Sequence, residues 1–421
     1  MTLKLGIIGC GGMGLRHMHG ISELMKYSEI MKLEAVCDLH ESAANFVASK
    51  AEEITGKRPT VFTSLEEMLQ ESDIDVLDIV TDTRTHHKFA IEAMESGVHV
   101  MTEKPMGVTL KACRQMMDSR KKNNVKLAVA ENYRKDPMNR LVKELIDNGA
   151  IGTPQMLLDI SVSGGGHLMH ATGWRAKKVM AGSLILEQGV HTSDLILYFL
   201  GDAKSIYATT GIMQKERIVG KRPPGIEQFY GHRVEDQFEG QSKVIIDAED
   251  TAFSVIKFQS GAIGQMTMTS GANGYGFGNQ TIHGTEGTLK LPGSRNGNSP
   301  IISRDNLSDS ITGDDLLDLV PEWQLDDITS LYFDGSRRIS SYDYPFEAVD
   351  RKLIAIELHD LAEAIINNST PEVDEIVGVK ALSLAYGALE SGDTGQIVNL
   401  KDIESGKVNQ YQSEIDSELK I

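Results

Sequence analysis

The sequence predicts an α/β domain built on a doubly wound parallel sheet, followed by an α+β domain with an open, mostly antiparallel sheet. Three observations carry this. A glycine-rich turn joins the first apolar run to the first helix. Strand and helix patterns then alternate to about residue 132. Beyond that point, longer strand patterns follow one another with few helices between them. Alternation gives a parallel sheet, and runs of strands give an antiparallel one. The domains are accordingly set at 1–132 and 133–421.

Leu3–Ile8 reads as a buried strand, and Leu15–Tyr27 as a helix. Between them, Gly9, Gly11 and Gly14 match G-x-G-x-x-G, with Gly12 and Met13 in the same turn. Such glycines permit a tight turn, close approach to a pyrophosphate, and close helix–strand packing. Lys32–Cys37 is the second strand, and Asp38 stands at its end, 24 residues past Gly14. That is the position of an acid that hydrogen-bonds the ribose of NAD. The bland alternative is a glycine turn plus a chance acid, and the strand–turn–helix–strand context weighs against it. Asp38-Leu39-His40 offers no arginine for a 2′-phosphate, which favours NAD over NADP.

Alternation continues through helix Ala43–Ile54, strand Thr60–Phe62, helix Ser64–Gln70, strand Asp75–Val80 and helix Thr85–Ser96. Strand Val98–Thr102, helix Leu110–Asn123 and strand Lys126–Ala130 complete six strands. Pro137–Asn148 and His191–Leu200 then read as helices, and Met156–Ser163 as a strand. Phe253–Phe258 with Ile263–Thr269, and Gln280–Gly284 with Gly287–Leu291, read as hairpins. Residues 294–344, rich in Gly, Asn, Ser and Asp, form a long excursion. Phe346–Asn367 and Glu375–Ser391 are helices by periodicity. The tail after Lys401 is polar and is expected to fray.

The net charge of −18 repels phosphate backbones, so nucleic acid is not an expected partner. Three scattered cysteines, Cys10, Cys37 and Cys113, suit a reducing cytoplasm. No apolar run reaches the roughly 18 residues of a membrane span, and no signal peptide is read at the start.

Five groups could do chemistry. Glu103-Lys104-Pro105 ends a strand at the carboxyl edge, where open parallel sheets bind ligands. Lys104 there would suit proton transfer; a solvated ion pair is the bland alternative. Glu187, His191 and Asp194, spaced by 4 and 3, share one helical face. They could shuttle a hydroxyl proton, hold a metal, or satisfy a polar interior; no metal is assigned. Glu131-Asn132-Tyr133-Arg134 could line the cleft or simply form a polar hinge. His86 and His87 follow a parallel strand end, with Thr81 before them. His167, His170, Trp174 and Arg175 offer an aromatic with flanking donors, a common way to hold a sugar, although a lone loop Trp more often packs.

Taken together, these motifs resemble the glucose–fructose oxidoreductase / inositol dehydrogenase / rhizopine-catabolism (Gfo/Idh/MocA) family. The likeness runs through Gly9–Gly14, Asp38, Thr81 to His86, and Gly97-Val98-His99-Val100 with Glu103-Lys104-Pro105. It continues through Asn132 and Arg134, Trp174-Arg175, Gly182 to Asp194, and Gly284-Thr285 with Gly287. The resemblance implies NAD as cofactor and hydride transfer from a secondary hydroxyl of a sugar, glycoside or cyclitol. Some members instead keep and recycle NAD, hydrolysing or eliminating a glycoside through a transient keto-sugar. It implies Lys104 and His191 as catalytic, with Glu187 where aspartate is usual. Gly9, Gly11, Gly12, Met13, Gly14, Asp38, Thr81, His86, Glu103, Lys104 and Asn132 would meet the cofactor. Lys104, Tyr133, Arg134, His170, Trp174, Arg175, Glu187 and His191 would meet the substrate. It also implies a homodimer or homotetramer, and a last helix, about 375–391, packing back near the first domain. Three departures stand out: Glu187 for Asp, Gly182-Ser183-Leu184 for a glycine run, and Thr81-Asp82 for Thr-Pro.

Overall fold

The computed structural model describes residues 2–168, 173–220, 224–231, 241–304 and 310–421. Its first sheet is parallel and six-stranded, in the order β3-β2-β1-β4-β5-β6. The strands are β1 (Leu3–Ile8), β2 (Met31–Cys37), β3 (Thr60–Phe62), β4 (Val76–Ile79), β5 (His99–Glu103) and β6 (Leu127–Ala130). Helices α1 (Gly12–Tyr27), α2 (Glu41–Thr55), α3 (Leu65–Glu71), α4 (Thr83–Glu95) and α5 (Leu110–Asn123) connect them. The strand order reverses between β1 and β4, which opens a crevice at their carboxyl ends. β1, β4, β5 and β6 are almost wholly buried, because helices cover both faces of the sheet.

Of the boundaries that differ from the sequence reading, two bear on the crevice. Helix α1 begins at Gly12, inside the glycine turn, so Gly12 and Met13 already belong to its first turn. Helix α4 begins at Thr83 because Asp82 caps it, accepting a hydrogen bond from the Arg84 N–H. Asp82 also pairs with the Arg84 side chain at 2.7 Å, so its charge is neutralised locally.

The second sheet follows α6 (Pro137–Asp147), which Asp136 caps and Pro137 starts. Its longest strand is β7 (Pro154–Gly164). After α7 (Leu184–Glu187) and α8 (Gly189–Leu200) come β8 (Ala203–Gly211), β9 (Glu216–Ile218), α9 (Pro224–Tyr230) and β10 (Lys243–Ile245). Then follow β11 (Thr251–Phe258), β12 (Ile263–Ala272), β13 (Phe277–Gly284), β14 (Thr288–Lys290), β15 (Ile301–Ser303) and β16 (Ser310–Ile311). The chain ends in α10 (Asp327–Tyr332), α11 (Phe346–Ile366), α12 (Glu375–Thr394), β17 (Val398–Asn399), α13 (Leu400–Glu404) and α14 (Gln410–Leu419). The sheet order is β16-β15-β14-β13-β7-β12-β11-β8-β17, and β9 pairs with β10 apart from it. Neighbours in the large sheet are antiparallel except β7 with β12.

Two late helices return to the first sheet. Helix α11 lies against α1, so closely that a Cβ on Gly20 would sit 2.3 Å from Ile354. Helix α12 touches both sheets: Gly378 meets Val129 of β6, and Gly387 meets Ile206 of β8. The Tyr386 hydroxyl donates to the Val108 carbonyl. Small residues at these crossings let helix and strand approach where a side chain would hold them apart.

The tail corrects the sequence reading. It does not fray; α14 docks on the first domain. Thr109 donates to Asp416 at 2.6 Å, and Gln412 accepts from the Leu110 N–H at 2.8 Å. Half of its buried face is polar, because its partners are the start of α5 and the Glu390 carboxylate. The 294–344 excursion is partly ordered by burial of Trp323 and Tyr332. No helix among the described residues is long and apolar enough to cross a membrane.

Asp416→Ala leaves the buried Thr109 hydroxyl without its partner. The expected loss is about 1–3 kcal/mol of unfolding free energy, read by denaturant titration.

Candidate functional site

Lys104 follows the last residue of β5 and precedes Pro105 through a cis peptide bond. Its Nζ donates to the Glu187 carbonyl at 2.9 Å and lies 3.4 Å from Glu187 Oε1. Glu103, one residue earlier, faces inward. It accepts the Lys104 N–H at 2.9 Å and meets His17 Nε2 at 3.2 Å, while His17 Nδ1 meets Asp78 at 2.7 Å. Burial opposes a charge on His17, but Asp78 and Glu103 outweigh it and hold the imidazole well above its usual range. Glu103 therefore braces the lysine from beneath.

His191, in the first turn of α8, presents Nδ1 to the Glu131 carboxylate at the end of β6. Its ring is stacked on Tyr133, with centroids 4.0 Å apart and planes 2° from parallel. Burial pushes Glu131 up to about 8. Burial, with the Lys104 charge, pulls His191 well below its usual value. With Nδ1 bound to Glu131, Nε2 is left for the cleft that His191 lines.

Glu187 closes the other side. It accepts from Arg175 at 2.8 Å as well as facing Lys104. Burial alone would raise its carboxyl; the Arg175 and Lys104 charges prevail and hold it down at about 2. Arg175 in turn lies over the Trp174 ring at 4.5 Å.

The expected single face of Glu187, His191 and Asp194 is not formed. The helix breaks at Gln188, so Glu187 ends α7 and His191 belongs to α8. Asp194 is taken by Arg134, whose Nε donates to it at 2.9 Å and whose Nη2 completes a bidentate pair. Arg134 thereby orients α8 against the β6 end, away from the cavity lining.

A cavity of about 1020 Å³ joins these residues to the glycine turn. It is lined there by Gly9, Gly11, Gly12, Met13 and Asp38, and further along by Thr81, Asn132 and Tyr133. The walls fit a dinucleotide. A Cβ on Gly11 would meet nothing within 4 Å, so the turn opens its backbone to the cavity. Asp38 stands at its rim, accepting from the Cys10 N–H at 2.7 Å and the His40 N–H at 2.9 Å. The buried Asn132 Oδ1 meets no donor among the described residues, which suits it to a donor on a ligand. Gly14 serves packing instead: a Cβ there would lie 1.9 Å from the Gly9 carbonyl oxygen. His86 also braces, its two nitrogens meeting the carbonyls of Pro105 at 3.0 Å and Thr81 at 3.2 Å. His170 lies outside the described residues.

Sequence reasoning missed Arg295, Tyr230 and His17, and read Glu131 only as a cleft or hinge residue, without its pairing to His191. Arg295 and Tyr230 line the cavity from segments with no motif. His17 follows the last motif glycine by three residues, one helical turn, which was a readable signal.

The fold and cavity define an NAD-binding oxidoreductase. The family model described as the GFO/IDH/MocA oxidoreductase family, NAD-binding Rossmann fold, matches residues 3–131. The GFO/IDH/MocA C-terminal domain matches residues 139–290. The chain belongs to this family, and it is a dehydrogenase of the NAD-dependent kind. It is 29% identical to levoglucosan dehydrogenase of Pseudarthrobacter phenanthrenivorans over 68% of this chain and 73% of that protein. It is 26% identical to a glycosyl hydrolase family 109 protein of a Shewanella species, over 42% of this chain and 37% of the relative's length. In structure it is similar to an NAD-binding oxidoreductase from Klebsiella pneumoniae, with TM-score 0.75 and 24% identity, covering 95% of this chain and 99% of the other.

Glu187 offers a pH test. Its carboxyl titrates lower in the folded state than in an unfolded chain, so the ionised form stabilises the fold above about 4.5 and this is lost as pH falls towards about 2. Glu187→Gln is expected to lose about 3 kcal/mol at neutral pH, with the gap to wild type narrowing below about pH 4.5 in denaturant titrations.

Proposed function

We propose that this protein oxidises a secondary hydroxyl of a sugar, glycoside or cyclitol with NAD. The observation that carries the reading is the meeting of Lys104, Glu187 and His191, with Glu131 behind the imidazole, on the cavity that runs from the glycine turn. Bound NAD supplies the acceptor for the hydride. Gly9, Gly11, Gly12, Met13, Asp38, Thr81 and Asn132 hold it, while Glu103 and His86 keep the strand ends in place beside it.

The chain's own work is positional and protonic. Lys104 donates a hydrogen bond to the reacting hydroxyl, which stabilises negative charge developing on that oxygen. His191 Nε2 takes the hydroxyl proton as general base. Glu131 keeps Nδ1 protonated, which leaves the Nε2 lone pair facing the substrate. Glu187 holds the Lys104 ammonium in place, and Arg175 with Trp174 forms the far wall for the ring. Arg134 acts at a distance, by fixing α8 through Asp194.

Coupled groups titrate as a pair. With Glu131 raised to about 8, the pair loses its extra proton near that pH. Only above it does Glu131 accept steadily from Nδ1–H and leave Nε2 free.

A second reading keeps NAD bound and recycles it, giving net hydrolysis or elimination of a glycoside. The similarity to a glycosyl hydrolase family 109 protein favours it, although that likeness covers 42% of this chain against 68% for the dehydrogenase. Exposed Tyr207, Phe253 and Val255 on the outer face of the second sheet support a homodimer or homotetramer.

Three measurements test the reading. A panel of sugars, inositols and glycosides with NAD is expected to accumulate NADH; product without NADH would establish recycling instead. Lys104→Ala is expected to abolish turnover while NAD binding survives, and retained turnover would remove Lys104 from the site. The oxidation rate is expected to rise with pH through about 8, and Glu131→Gln to flatten that rise while lowering kcat roughly 10²-fold.

A further inference from the structure

Arg295 reaches the cavity from outside every motif and from beyond residue 290, where the family match ends. It sits in a tight turn between Gly293 and Gly297, both with positive φ. Arg295 itself has φ 62°, a left-handed conformation that costs a non-glycine residue about 1 kcal/mol. Two contacts hold it there. Its N–H donates to Asp136 at 2.6 Å, and the Tyr342 hydroxyl donates to the same oxygen at 3.1 Å. A Cβ on Gly297 would lie 1.9 Å from the Tyr342 carbonyl oxygen, so the turn fits only this path.

The guanidinium that this turn delivers lies over the Tyr133 ring at 4.8 Å. Its Nη2 donates to the Tyr133 hydroxyl at 3.1 Å, and its Nη1 to Asp350 at 3.2 Å. Phe346 flanks it at 5.0 Å. Tyr133 is stacked in turn on His191. Guanidinium, phenol and imidazole thus form one series of contacts, anchored at one end by Asp350 and at the other by Glu131.

We propose that Arg295 is a positioning residue for the reaction: it fixes Tyr133 against His191, so that the imidazole keeps Nδ1 on Glu131 and presents Nε2 to the substrate hydroxyl. The geometry gives the reason. Hydrogen bonding through Nδ1 alone lets an imidazole swing about that bond, and a flat ring held against its face removes the swing. Tyr133 can hold that plane only if its own hydroxyl end is fixed, and Arg295 fixes it. The charges around His191 agree. Lys104 after β5 and Arg295 from the excursion disfavour the imidazolium, while Glu103 and Glu187 favour it; Glu131 holds Nδ1, and Arg134 and Asp194, on the flanking elements, neutralise each other. Removing the Arg295 cation tilts that balance towards protonation.

The inference rests on the reading of His191 as the base, and the test separates the two. Arg295→Gln is expected to move the rising limb of the pH–rate profile upward by roughly 0.5–1 unit. It is also expected to lower kcat about tenfold, with KM changed much less, as for a misplaced base. Arg295→Lys, which keeps the charge without the flat fork, is expected to restore the limb but not kcat. Imidazole nitrogen NMR, with the His191 signals assigned by their loss in His191→Asn, is expected to show one fixed tautomer in wild type and tautomer exchange in Arg295→Gln. Retained turnover in His191→Asn would end the reading of His191 as base, and the nitrogen signals would then judge the stack alone. If His191→Asn is inactive but Arg295→Gln keeps both the wild-type limb and the wild-type nitrogen signals, the role of Arg295 is overturned. Thermal melts of both Arg295 variants confirm that folded protein is compared.

Discussion

A cation brought out of water at the end of a strand must be met by an anion or by carbonyls, since an uncompensated buried charge costs several kcal/mol. At Lys104 that requirement joins the two halves of the molecule. The lysine belongs to the first sheet and its partner Glu187 to the second domain, where Arg175 meets the same carboxylate. The break between α7 and α8 lies at the same contact. The Glu187 carbonyl at the end of α7 accepts from Lys104 Nζ, a lysine donor at the point where the helix breaks.

Elements far apart in the chain hold that cleft at a fixed width. Helix α12 lies between the sheets, its glycines set against Val129 on one side and Ile206 on the other. Helix α11 packs on α1, and its Asp350 receives both Arg16 from behind the glycine turn and Arg295 from the excursion. Asp350 therefore touches the supports of the cofactor region and of the His191 stack together. The tail helix locks the start of α5 through Thr109 and Leu110. These contacts use buried polar groups with specific partners, which define one arrangement where apolar packing tolerates several.

The alternation of strands and helices to residue 130, the glycine turn and the acid after β2 were legible because each is local. Apolar periodicity, turn chemistry and strand ends depend on neighbours a few residues away. The proline after Lys104 marked the strand stop for the same reason. The tail was misread because its buried face carries Gln412 and Asp416, which look solvated until their partners, some 300 residues earlier, are in place. The shared face of Glu187, His191 and Asp194 was misread because Asp194 is taken by Arg134, a partner 60 residues earlier that spacing along a helix does not reveal.

The sequence by itself determined the fold class and the cofactor crevice, since each is written in short-range pattern. Only the tertiary structure decided which charge answers which: Glu187 to Lys104, Glu131 to His191, Asp194 to Arg134, and Arg295 to Tyr133 and Asp350. Pairing of buried charges depends on through-space distance and exclusion of water, and neither is encoded at any fixed separation along a chain.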